Sequence, residues 1–138
     1  MAGIVQISEA ASLALHSMVS IARAPEHPVN LKGIACSTGI SETHLAKVLQ
    51  RLVKAGLLSS TRGPRGGFDL LLPPDEISLL TIYEAVEGPL DTENCLLHAS
   101  HCPFDFRRCI FGGLLEETNR TFREYLQRTT LSGILSEE

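Results

Sequence analysis

The chain has 138 residues, 43% of them hydrophobic and 20% charged, a balance that excludes a disordered polymer and leaves room for one small domain with an appended element. No apolar run approaches the roughly 18 residues of a membrane span, and Met1 to Gln6 hold no positive stretch leading into an apolar core, so a soluble cytoplasmic protein without a membrane partner is expected. The net charge of -4 excludes a uniformly basic coat but hides an asymmetry: residues 41 to 68 carry five bases (Lys47, Arg51, Lys54, Arg62, Arg65) against Glu42, for +4, whereas residues 73 onward carry twelve acids and five arginines, for -7. A basic reading head on an acidic body fits that distribution.

In chain order, Ser8 is placed to cap a first helix running to about Ala24, with Leu15, Met18, Val19 and Ala22 on one face and Pro25 and Pro28 ending it. Pro25-Glu26-His27-Pro28 reads as a linker. Asn30 caps a short second helix through Thr38, in which Cys36 is expected as a small core residue, and Gly39 supplies a turn. Ser41 caps a third helix whose apolar stripe is Leu45, Val48, Leu49 and Leu52, and Gly56 ends it. Ala35, Gly39 and Leu45 have helix-turn-helix spacing: a small residue for close approach, a glycine for the bend and a leucine to anchor the second helix.

That pattern alone has many chance matches, but a hairpin follows it. Leu57 to Thr61 and Phe68 to Leu72 read as strands joined by Arg62-Gly63-Pro64-Arg65-Gly66-Gly67, with glycines for backbone freedom and two arginines at a tip that has nothing apolar to bury. The fold class expected is therefore mainly α, a winged helix-turn-helix with a two-stranded wing. Pro73-Pro74 closes the wing, and Leu79, Leu80, Ile82, Tyr83, Ala85 and Val86 describe a buried fourth helix ending at Gly88. Residues 89 to 108 hold no sustained period and read as a loop. A long final helix from about Ile110 to Arg128 sets Leu114, Glu117-Thr118, Thr121, Phe122, Tyr125 and Leu126 near one side, without a clean heptad.

Cys95, Cys102 and Cys109 stand in the loop segment at two equal gaps of six residues. In a reducing cytosol such clustering favours metal or redox chemistry over disulfides. Thiolates are soft ligands for iron–sulfur clusters, zinc or copper(I), and a loop can wrap a metal. Steps of seven would also stack three cysteines on one helical face, an arrangement that Pro103 opposes. A structural Cys3His zinc site and a metal-free thiol switch are the competing readings. There is no Cys-x-x-Cys, no phosphate-cradling loop before a βαβ unit and no activated nucleophile, so no enzyme is expected.

Gly39-Ile40-Ser41, Leu45, Leu52, Ala55-Gly56-Leu57, Arg62 to Phe68, Ala85-Val86-Glu87-Gly88 and the cysteine-bearing loop together resemble the IscR/NsrR family of winged-helix transcription regulators, over nearly the whole chain. The resemblance implies a homodimer whose long C-terminal helices cross, with the cysteine loop held between one protomer's core and its partner's first helix. It also implies an iron–sulfur cluster, 2Fe-2S or 4Fe-4S, on Cys95, Cys102 and Cys109 that controls affinity for a palindromic double-stranded DNA operator. Thr43-His44-Leu45-Ala46-Lys47-Val48 is similar to the nitric-oxide-sensing NsrR branch; Gly112 stands where the IscR branch usually has histidine, and Ser12 where NsrR members can carry a carboxylate. The fourth donor would be Glu9 or His16 from the partner's first helix, or His98 or His101 within the loop, while His27 and His44 sit where histidines serve surface or core.

The division expected is a DNA-binding unit over 1–88, a cluster-binding loop over 89–109, and a dimerisation helix with a tail over 110–138. In the reading head, Thr43, His44 and Lys47 are the candidates for base edges, and the Ser41 cap meets phosphate. Gln50, Arg51 and Lys54 lie further along and meet phosphate, solvent or acids. Arg62 and Arg65 can enter a narrow minor groove, and Gly63, Pro64 and Gly66 of the same tip are expected to contact DNA with them, the glycines allowing close backbone approach. The bland alternatives are a solvated helix face and a surface hairpin with incidental arginines. The function expected is a repressor whose operator affinity follows a cluster that senses nitric oxide, redox state or iron. The alternative is a winged-helix regulator or protein-interaction module with structural zinc or a metal-free cysteine switch.

Overall fold

The computed structural model describes residues 6–90, 102 and 109–137. The expectations placed on Cys95, His98, His101 and the loop reading of 89–108 lie outside the described residues, apart from Pro89, Leu90 and Cys102.

Local chemistry sets the helix ends where the sequence marks them. Helix α1 (Glu9–Arg23) starts at Ser8, whose hydroxyl accepts the Ala11 N–H at 3.0 Å, satisfying one donor that a helix start leaves unpaired. Helix α2 (Leu31–Thr38) is capped by Asn30, whose side-chain oxygen accepts from Gly33 at 2.7 Å, and it ends at Gly39 with φ 71°. Helix α3 (Glu42–Lys54) is capped by Ser41. Its far end closes with two 3.0 Å bonds, Leu57 N–H to the Leu52 carbonyl and Gly56 N–H to the Val53 carbonyl. That pairing needs the left-handed backbone of Gly56 (φ 79°) and buries Leu52 against the residue after it.

The α3 stripe of Leu45, Val48, Leu49 and Leu52 is buried as expected. On α1 the buried arc is instead Ala11, Leu13, Ala14, Ser17, Met18 and Ile21, and Leu15 and Val19 border an open groove. Within that arc the small Ala11, Ala14 and Ser17 alternate with the large Leu13, Met18 and Ile21, so α1 both approaches its neighbours closely and fills the space between them. Cys36 is not a core residue: α2 buries only Ile34, and a position two residues on points to the opposite side of a helix, where Cys36 is exposed.

The wing consists of β1 (Leu58–Thr61) and β2 (Gly67–Leu70), antiparallel with Leu58 opposite Leu70 and Thr61 opposite Gly67. Both strands differ by a residue or two from the expected ranges. Leu57 gives its N–H to the α3 terminus while its carbonyl accepts the Leu71 N–H at 3.1 Å, and the side chains of Leu71 and Leu72 are exposed. Val29 of the linker pairs with Phe68 through bonds of 2.9 and 2.8 Å, so the linker lies along the wing as a third, one-residue rung. Phe68 is buried and roots the hairpin in the core.

A single 3₁₀ turn (Pro74–Glu76), absent from the sequence expectation, leads into α4 (Leu79–Glu87). Helix α5 (Leu114–Arg128) begins later than Ile110 because Gly112, at φ 58°, breaks the helical path and Gly113 takes the cap position. A further helix, α6 (Leu131–Ser136), is also unexpected; Thr130 caps it by accepting the Gly133 N–H at 3.2 Å. Bonds from Leu79 N–H to the Thr129 carbonyl (2.9 Å) and from Leu131 N–H to the Ile77 carbonyl (3.0 Å) fasten this end to the start of α4. Leu126 and Leu131 thereby join the same apolar cluster as α1 to α4. Among the described residues no helix is long and apolar enough to cross a membrane.

Candidate nucleic-acid interface and thiol segment

Helix α3 buries one stripe, and the opposite face carries the expected reading residues. Thr43, Lys47, Gln50 and Lys54, spaced as one helical face, are exposed. Ser41 at the cap is exposed too, beside the first N–H groups of α3 and the positive end of its dipole, chemistry that suits an anion. His44 leans inward: it is half-buried, and its Nε2 is enclosed without a hydrogen-bond partner among the described residues. Arg51 stands apart from this face. Its Nη1 donates to the Val86 carbonyl at 3.1 Å, in the last turn of α4.

At the wing tip Arg62, Gly63, Pro64 and Arg65 are exposed, and neither arginine has an acidic partner among the described residues. Gly63 adopts φ 107°, and its carbonyl accepts the Gly66 N–H at 2.9 Å, closing the tip. The base of the wing is held from outside as well, since His27 Nδ1 lies 3.1 Å from Asp69 Oδ1 across the linker. The tip therefore projects two cations on a rooted hairpin at the side of α3.

On the thiol side, Cys102 and Cys109 are exposed. Among the described residues no three metal-ligating side chains converge; Cys95, His98 and His101, named as candidate donors from the sequence, lie outside them. The donor chemistry, soft thiols in a segment following Leu90, fits an iron–sulfur cluster or zinc. Glu9 and His16 are both exposed on α1. His16 Nδ1 sits 2.6 Å from the Ser12 carbonyl oxygen. A carbonyl can only accept there, so Nδ1 is the donor of that bond and Nε2 is the ring nitrogen it leaves unengaged.

Helix α5 has two faces. One carries Phe122, which packs edge-on against Tyr83 at 5.8 Å, and the buried Leu126. Burial, with the Glu87 charge beside it, raises the Tyr83 phenol above its ordinary value. The other carries Leu114, Thr118, Thr121 and Tyr125 at one-face spacing, all exposed, with Ile110 and Phe111 exposed just before it. Where the cysteine segment leaves α4, Glu84 Oε1 accepts the Leu90 N–H at 3.0 Å and Arg123 Nη1 at 3.1 Å, and Arg123 also donates to the Leu90 carbonyl at 3.3 Å. No local pattern could signal the Arg123 contacts or that of Arg51, because their partners are more than thirty positions apart.

With that geometry in place, the family described as "Iron-dependent Transcriptional regulator", Rrf2, matches residues 7–137. The HTH-type transcriptional regulator IscR of Aliivibrio salmonicida is 32% identical over 123 residues, covering 88% of this chain and 72% of that protein. The HTH-type transcriptional regulator NsrR of Halalkalibacterium halodurans is 27% identical over 134 residues, 96% of this chain and 92% of that one. Among solved structures, CymR, the global cysteine regulator of B. subtilis, superposes with a TM-score of 0.79 at 29% identity, covering 98% of this chain and 99% of that one. These relatives are DNA-binding transcriptional regulators rather than enzymes. The chain is a winged-helix transcriptional regulator that belongs to the Rrf2 family.

Proposed function

We propose that the protein is a homodimeric, cytoplasmic repressor whose affinity for a palindromic DNA operator is set by an iron–sulfur cluster on Cys95, Cys102 and Cys109. The observation that carries the DNA half is the exposed row Thr43, Lys47 and Gln50 beside a rooted wing whose Arg62 and Arg65 have no acidic partner among the described residues. Thr43 and Lys47 reach base edges in the major groove, His44 orients alongside them, and Ser41 with the start of α3 receives a phosphate. Arg62 and Arg65 enter the adjacent minor groove on a tip kept slim by Gly63, Pro64 and Gly66.

Residues 1–88 form the reading unit, 89–109 the sensing segment and 110–138 the pairing element. The exposed row on α5 is the surface for the second copy, and two-fold pairing of the reading units makes the operator palindromic. Cys102 and Cys109 offer exposed thiolates, Cys95 completes the set, and the partner's His16 supplies the fourth donor through Nε2, in preference to its Glu9. A bound cluster supplies a centre that reacts with nitric oxide, oxygen or iron shortage. Support for this half comes from the names of the relatives, IscR and NsrR. The likeness to CymR, solved from Staphylococcus aureus in an oxidized form, favours a second reading in which the same thiols switch without metal.

Anaerobic protein treated with iron and sulfide separates the two. Iron and sulfide bound in equal amounts, with visible absorbance that Cys102→Ala loses while remaining a folded dimer, is the expected result. A colourless, iron-free wild type carries the second reading instead.

A further inference from the structure

The last turn of α4 and the residues after it are held from three sides, one of them the start of α1, where the Ser8 hydroxyl donates to the Glu87 carboxylate. From the reading unit, Arg51 on α3 gives Nη1 to the Val86 carbonyl at 3.1 Å. The final carbonyls of a helix have no partner within it, so this bond fills a vacancy that water would otherwise fill. From the pairing element, Arg123 on α5 meets Glu84 and Leu90, and Glu84 takes the Leu90 N–H as well. Residues 84 to 90 are thus a junction through which α3, α5 and the root of the cysteine segment are joined by charge-assisted hydrogen bonds. The Tyr83–Phe122 ring pair seats α5 beside the same turn without using either arginine.

We infer that Arg51 and Arg123 are positioning residues: they fix the orientation of α3 against α4 and α5, and Arg51 is not a phosphate contact despite lying on the basic helix. The inference rests on the DNA-reading part of the proposed function and is independent of the metal. Its consequence for regulation is that whatever moves Leu90 acts on Glu84 and Arg123 first, and reaches α3 through Val86 and Arg51. A rigid packed turn with discrete bonds passes such a displacement on instead of absorbing it.

The test uses metal-free, full-length protein and a duplex selected by the wild type from a randomised pool. Arg51→Met, Arg123→Met and the double variant are compared with Arg62→Gln by titration over a range of salt. Each single positioning variant weakens binding by about threefold to tenfold, on the order of 1 kcal/mol. The salt slope stays at the wild-type value, and the double variant is no weaker than the worse single. Arg62→Gln instead lowers the slope by about 1. The inference is overturned if Arg51→Met reduces the slope as Arg62→Gln does, if Arg123→Met leaves affinity unchanged, or if the two losses multiply. Should light scattering find Arg123→Met unpaired, Glu84→Ala, which empties the same clasp from α4, takes its place with the same expectations. Because no metal is present, a wild type indifferent to iron would sink the sensor reading and leave this result standing.

Discussion

Gly67→Ala should detach the wing from the body of the protein. A Cβ at position 67 would stand 2.3 Å from the Val29 carbonyl oxygen and 2.6 Å from its carbon, far inside van der Waals contact. Those atoms are backbone, so trimming the Val29 side chain gives no relief, and the strand must retreat from the linker. Retreat breaks both Val29–Phe68 hydrogen bonds, each worth about 0.5–1.5 kcal/mol net. It also lifts the edge of Phe68, which is only 7% exposed. The loss in unfolding free energy is therefore about 1–3 kcal/mol from the bonds, with a smaller contribution from the ring. Urea titration followed by circular dichroism should show a lower midpoint with an unchanged slope, and binding to a selected duplex should weaken because Arg62 and Arg65 lose their fixed position. If Gly67→Ala unfolds within about 0.5 kcal/mol of the wild type, below the range derived from two lost hydrogen bonds, the linker does not brace the wing.

Ser17 is fully buried with no partner for its hydroxyl among the described residues; Ser17→Ala removes that burial penalty and favours helix, so the melting temperature should rise by about 3–8 °C, and a fall would mean that the hydroxyl is satisfied. Tyr83 is raised above 10.0 in the folded chain, so at alkaline pH the unfolded chain gives up a proton that the folded one keeps, and stability declines as pH rises through that window. Tyr83→Phe should flatten this decline, measured as urea midpoints from pH 9 upward; an unchanged slope would remove Tyr83 as its source. His16→Ala should lower iron retention in reconstituted protein and shift its visible spectrum, whereas Glu9→Ala should leave both as in the wild type; the reverse pattern would transfer the fourth-ligand role to Glu9.

Much of this architecture is legible in the sequence because it is locally encoded. Ser8, Asn30 and Ser41 cap the first three helices, Gly39 and Gly56 end two of them, and the α3 stripe is buried as its spacing implies. Burial on α1 is harder to read: periodicity highlights the large Leu15 and Val19, but close helix packing selects the small Ala11, Ala14 and Ser17. Cys36 shows the same weakness, since residue type favours the interior while its position on a two-turn helix faces water. Helix α6 is six residues long and is anchored by the bond of its Leu131 to Ile77 and by that of the preceding Thr129 to Leu79, which no local pattern announces. For the candidate site, residue types marked the α3 face and the wing tip, but the engagement of Arg51 by Val86 depends on a partner 35 positions away. Charge alone made Arg51 look like its neighbours.

The central claim, that thiolates in the segment after α4 govern how the paired reading units hold DNA, is tested most directly by one titration. Nitric oxide is added anaerobically to iron- and sulfide-reconstituted protein bound to a fluorescent operator duplex, while visible absorbance and anisotropy are recorded on the same sample. Both signals should change together and reach their end points at the same nitric oxide equivalents, and Cys102→Ala should show neither change. Absorbance that bleaches while anisotropy stays constant would contradict the account.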